Sequence, residues 1–77
     1  ARHRWRSACR SAPRLAAALA EDAIDVADNN KAFASWCLKN LEILEDNGLY
    51  MESPEFTSTW CHLQRIAPGS GHRVFIP

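Results

Sequence analysis

Residues 53–67 read Ser53-Pro54-Glu55-Phe56-Thr57-Ser58-Thr59-Trp60-Cys61-His62-Leu63-Gln64-Arg65-Ile66-Ala67, and the fold class turns on them. Ser53 offers an N-cap oxygen, Pro54 is pre-set for a first helical position, and Glu55 places a negative charge in the first turn. Phe56, Trp60, Leu63 and Ala67 recur at i, i+4, i+7 and i+11, which is one stripe of a helix. Pro68-Gly69 follows as a stop. The spacing predicts a helix over 53–67.

The stretch before it carries a matching pattern. Phe33, Cys37, Leu41 and Leu44 form a stripe over 31–47, with Gly48 as a left-handed stop and Leu49 beyond it. The short connection from Leu49 to Glu52 makes this pair an antiparallel hairpin. Farther upstream, Pro13 opens a third amphipathic pattern over 13–27, with Leu15, Leu19, Ile24 and Val26 on one half and Glu21, Asp22, Asp25 and Asp28 on the other. Those acids read as a solvated face, since a calcium site needs turn glycines and backbone carbonyls as well. The expected fold is therefore all-α. It is a small three-helix domain (13–67) containing a helical hairpin, preceded by a basic arm (1–12) and followed by an extended tail (68–77). Its expected core is Phe33, Cys37, Leu41, Leu44, Phe56, Trp60 and Leu63.

Composition bounds what such a domain can do. The chain has 77 residues and a formal net charge of zero. Twelve of its apolar residues are Ala, which bury little. A chain this short hides only about 60% of the surface its unfolded form exposes. No apolar run approaches the roughly 18 residues of a membrane span. The zero sum conceals a segregation: residues 1–20 carry five Arg and no acid, whereas 21–55 carry all nine acids against Lys31 and Lys39. The arm residues Arg2, Arg4, Arg6, Arg10 and Arg14, with Trp5 among them, suit phosphate or an acidic protein surface. The Arg/Ala/Ser-rich, acid-poor start has the composition of an organellar targeting segment, so a mitochondrial or other organellar setting, such as a plastid, is expected.

Two Trp-Cys pairs, Trp36-Cys37 and Trp60-Cys61, fall at similar heights on the two hairpin helices. Cys37 and Cys61 read either as a stapling disulfide or as two free thiols filling the core. No Cys or His pair has close metal-ligand spacing, so neither a metal nor a cofactor is expected. Enzymatic activity is not expected. Adjacent Cys61-His62 does not bring a thiol and a base together in space, and Gly69-Ser70-Gly71 is a lone turn.

Trp36 and Ile43 lie beside the second helical stripe, and Val74-Phe75-Ile76 forms an apolar hook near the end of the chain. These five are the expected docking residues. The function they suggest is that of a structural or accessory subunit of a larger, organellar protein assembly. One alternative is an RNA-contacting, small ribosomal-type protein that holds phosphates through its arginine arm. A second is a secreted helical peptide stapled through Cys37 and Cys61.

Overall fold

The computed structural model describes residues 13–77. The basic arm, with Arg2, Arg4, Trp5, Arg6, Cys9 and Arg10, lies outside the described residues. The fold is not all-α. Three short helices pack on a four-stranded mixed sheet. In chain order these are α1 (13–21), β1 (Ala23–Ala27), α2 (Ala32–Lys39), α3 (Leu41–Asp46), β2 (Tyr50–Glu52), a single 3-10 turn (Pro54–Phe56), β3 (Trp60–Gln64) and β4 (Val74–Phe75). The strands lie in the order β1-β3-β2-β4. β3 pairs antiparallel with both β1 and β2, and β4 pairs parallel with β2.

Each expected helix is cut at a place with a local cause. The first ends at Asp22, whose φ of 65° is left-handed, a conformation that Asp tolerates better than most residues. Beyond it Ile24 and Val26 alternate with Ala23, Asp25 and Ala27. The β-branched pair faces inward and the chain runs as a strand. The second helix breaks at Asn40, where φ −133° and ψ 43° leave the helical region. The Asn40 amide donates to the Trp36 carbonyl at 2.8 Å, which satisfies the buried side chain and leaves α2 and α3 as a tight helix–turn–helix joint. Gly48, at φ 67°, closes α3. Its N–H and that of Leu49 return to the Glu45 and Leu44 carbonyls at 3.1 and 2.9 Å.

The third helix and the helical hairpin are overturned most fully. Ser53-Pro54-Glu55 starts only the single turn Pro54–Phe56, and the Ser53 side chain makes no cap bond. Thr57, Ser58 and Thr59 then carry the chain into β3. There Cys61 and Leu63 are buried while Trp60, His62 and Gln64 alternate with them. The period is two, not 3.6, because β1 and β2 on either side supply backbone partners along β3.

One cluster forms the core: Leu15 and Ala18 of α1; Phe33, Ala34 and Cys37 of α2; Leu44 and Leu49; and Met51, Cys61 and Leu63 of the sheet. Of the expected core residues, Leu41 is half-buried, Phe56 is exposed and Trp60 sits on the other side of β3.

Asp28 organises the joint between β1 and α2. Its carboxylate is buried and accepts from the N–H groups of Phe33 and Ala34, both at 2.9 Å, so it caps the α2 N-terminus from five residues upstream. Lys31, left-handed at φ 59°, turns its ammonium to the Thr57 and Trp60 carbonyls, fastening the loop before β3 to the same point. The acid that the helical reading put on a solvated face is thus a buried structural group. Asp28→Ala is expected to cost about 2–3 kcal/mol, since it removes a charged acceptor from two buried donors. Asn at the same position should cost less. Urea unfolding measures both, and an unchanged midpoint for the Ala variant would place Asp28 on the surface.

Candidate functional site

The sheet has two unlike sides. Alternation along the strands sends Ile24, Val26, Cys61, Leu63, Met51 and Val74 inward, and the buried residues of every described helix join that same cluster. The residues directly paired on the other side are Ala23 and Tyr50 with Gln64, Asp25 with His62, Ala27 with Trp60, and Glu52 with Phe75. None of them belongs to the core cluster. This outer face carries polar and aromatic groups where a second layer would require apolar ones.

His62 stands at its centre. Nδ1 lies 2.7 Å from Asp25 Oδ1 and Nε2 lies 2.8 Å from Gln64 Oε1. The Gln64 amide nitrogen donates to the Ile66 carbonyl at 2.6 Å, which turns its oxygen toward the ring. Both ring nitrogens therefore face acceptors, an arrangement that only the imidazolium satisfies. Partial burial works against that charge. The bonds to Gln64 and Asp25, with the charges of Asp25 and Glu52, outweigh it and raise the His62 pKa above its ordinary value. Because both nitrogens are engaged, neither is free to take a proton from a nucleophile. The Phe75 ring meets His62 edge-on at 6.2 Å. Beside them the Arg73 guanidinium sits 4.2 Å above the Tyr50 ring and donates to the Leu49 carbonyl at 2.8 Å.

On the inner side of β3, Cys61 meets Cys37 of α2. Both are free, buried thiols of the one core cluster. The neighbouring Cys61 thiol, and then burial, push the Cys37 pKa far up, so Cys37 keeps its proton.

The five expected docking residues do not form one patch. Trp36 is half-buried, stacked on Phe33 at 6.2 Å with the rings 6° from parallel, and its indole nitrogen is buried without a hydrogen-bond partner. Arg14, the described member of the arm, lies 5.4 Å over the other ring of that stack, Phe33. Ile43 is half-buried against the core. Val74 and Phe75 are taken up in the chain's own sheet as β4, with Met51 and Ser53 donating to the Arg73 and Phe75 carbonyls at 2.9 and 2.7 Å. Only Ile76 stands in water, 74% exposed. Sequence reasoning missed the His62 cluster and the outward-facing Trp60. The signal lay in the alternation of Trp60, His62 and Gln64 with Cys61 and Leu63.

The charge on the body of the domain bears on partners. Residues 13–77 hold five Lys and Arg against nine Asp and Glu, a net of −4. A helix–turn–helix joint often presents its second helix to a nucleic-acid groove. Here α3 carries Glu42, Glu45 and Asp46 and no base, so phosphates would repel it. Among the described residues no cluster of three or more His, Cys, Asp or Glu could hold a metal ion. No helix of the described residues is long and apolar enough to cross a membrane. No protein-family model, curated protein or solved structure matches the chain.

The raised His62 pKa yields a prediction on stability. A raised folded-state pKa contributes stability that is fully present below the unfolded value of about 6.5 and is lost as pH rises through the folded one. Unfolding free energy should therefore fall as pH rises from mildly acid to mildly alkaline. The loss should be no more than about 1 kcal/mol, because Asp25 is largely exposed. His62→Gln should flatten that part of the profile. A parent profile already flat there would mean that His62 is neutral at its site.

Proposed function

We propose that this chain is a non-catalytic structural or accessory subunit that docks into a larger protein assembly through the outer face of its sheet. The observation that carries the proposal is that face itself. It presents Trp60, Tyr50 and the His62 cluster on strands whose reverse side faces the core cluster, with Phe75 the buried apolar group on the outer side. A partner surface that is basic and polar fits it best, since Asp25 and Glu52 flank the aromatic groups and the body is acidic. Exposed Phe56, Leu38, Ile66 and Ile76 add apolar area that a small monomer gains little by keeping in water. An organellar, mitochondrial setting accompanies the proposal on the composition of residues 1–20. The reading as an RNA-contacting protein rests on arm residues outside the described ones, and the acidic α3 speaks against extending it to the body.

Sedimentation and thermal melting of the isolated 77-residue chain test the proposal. A subunit without its partner is expected to show a low, broad or concentration-dependent melt. A monodisperse monomer with a sharp, concentration-independent transition well above ambient temperature would sink it. So would tight binding of a single-stranded RNA oligonucleotide whose affinity falls steeply with salt, which would favour the RNA reading instead.

A further inference from the structure

The sheet ends in two unlike edges. β4 is only two residues long and is followed shortly by Pro77, and both short length and proline blunt an edge. β1 is a five-residue edge strand, Ala23-Ile24-Asp25-Val26-Ala27, with no proline or lysine in it. Its register with β3 fixes which backbone groups it spends there. The Asp28 N–H donates to the Thr59 carbonyl at 2.9 Å, and the Arg65 N–H donates to the Asp22 carbonyl at 2.7 Å. These bonds lie just beyond the two ends of the ladder. The antiparallel alternation between them makes Ile24 with Leu63, and Val26 with Cys61, the pairs that exchange bonds. The N–H and C=O groups of Ala23, Asp25 and Ala27 therefore point away from β3, to the free edge. All three residues are exposed, and among the described residues nothing bonds to those groups. Two of the three carry only a methyl side chain, which leaves the backbone open to approach.

We propose that the free edge of β1 is a strand-addition site that takes an extended segment of a partner protein with basic residues at alternate positions. The outward groups of Ala23, Asp25 and Ala27 supply the backbone bonds, and the side chains on either side supply the selection. Asp25, largely exposed, stands at the centre of the strand on the outer face. A lysine or arginine of the added strand beside it gains a cross-strand ion pair, and an acid there is repelled. On the reverse side, alternate residues of the added strand lie beside Ile24 and Val26, which are only half-buried, so β-branched apolar groups fit there. The same aspartate turns away a second copy of this chain. Antiparallel pairing of two β1 strands over their full length sets the two Asp25 carboxylates opposite each other.

The test follows backbone amides of the full 77-residue chain by NMR-detected hydrogen exchange, with a synthetic peptide of alternating valine and lysine as the probe. In the free chain the amides of Ala23, Asp25 and Ala27 should exchange fast while those of Ile24 and Val26 are protected. Peptide at about ten times its Kd should slow the first three roughly tenfold and leave the chain monomeric. Ala27→Pro removes one outward N–H and no ladder bond. Protection of Ile24 and Val26 should persist in that variant while peptide affinity falls by up to roughly tenfold. Asp25→Lys should reverse the preference toward a valine–glutamate peptide. No slowing with the valine–lysine peptide, or equal slowing with the valine–glutamate one, would overturn the proposal. So would protection of the three amides in the free chain that is lost on removing residues 1–12, which gives the edge to the chain's own arm, or protection that accompanies dimerisation, which gives it to a second copy. The edge is distinct from the outer face, so a sharply melting monomer removes the accessory-subunit reading without deciding this one.

Discussion

The buried carboxylate of Asp28 is the constraint on which the arrangement depends. It sits just after β1 and accepts from the second and third N–H groups of α2, those of Phe33 and Ala34. Its own N–H donates to the Thr59 carbonyl at 2.9 Å, and its carbonyl accepts from Lys31 at 3.0 Å. Lys31 in turn holds the loop entering β3. A buried charge is costly unless its hydrogen-bonding capacity is filled, and here the filling groups come from the next helix. One residue thereby sets where β1 stops, where α2 starts and how β3 approaches. With β3 in place, β1 and β2 acquire the partner that makes them strands.

From that placement follows the division of labour along β3. Successive residues point to opposite sides, so one five-residue strand carries both a buried core thiol and the imidazole of the outer face. Cys61 and Leu63 reach the helices, while Trp60, His62 and Gln64 reach outward. The two features are separated by a sheet's thickness, yet they share a backbone.

Electrostatics fits the same division. The described body is acidic, but its acids are not equivalent. Asp28 is internal, Asp25 orients His62, and Asp22 pairs with Arg65 at 3.3 Å beside a left-handed turn. Glu42, Glu45 and Asp46 gather on α3, where they bar phosphate from the helix–turn–helix joint. The exposed pairs contribute little to stability. Their effect is on which surfaces can approach, and it favours a basic protein partner over a polyanion.

The sequence by itself determined several local stops and starts. Gly48 closes a helix with Leu49 beyond it, and Phe33, Cys37, Leu44 and Leu63 belong to the core. It also established the segregation of charge and the absence of a long apolar span. What it left open was the period of its short segments. In 60–67, Trp60, Leu63 and Ala67 satisfy a helical stripe, while Cys61 and Leu63 satisfy a strand face. In 23–27, Ile24 and Val26 suit both. Segments of five residues contain too few repeats for 3.6 and 2 to be told apart. Only the tertiary structure decided, because a strand's backbone groups are satisfied by another strand remote in sequence, whereas a helix satisfies its own. The Asp28 and Lys31 bonds bring that partner within reach. Once β1 and β2 lie on either side of β3, the hydrogen bonds across the sheet replace those of the helix that 53–67 would otherwise have formed.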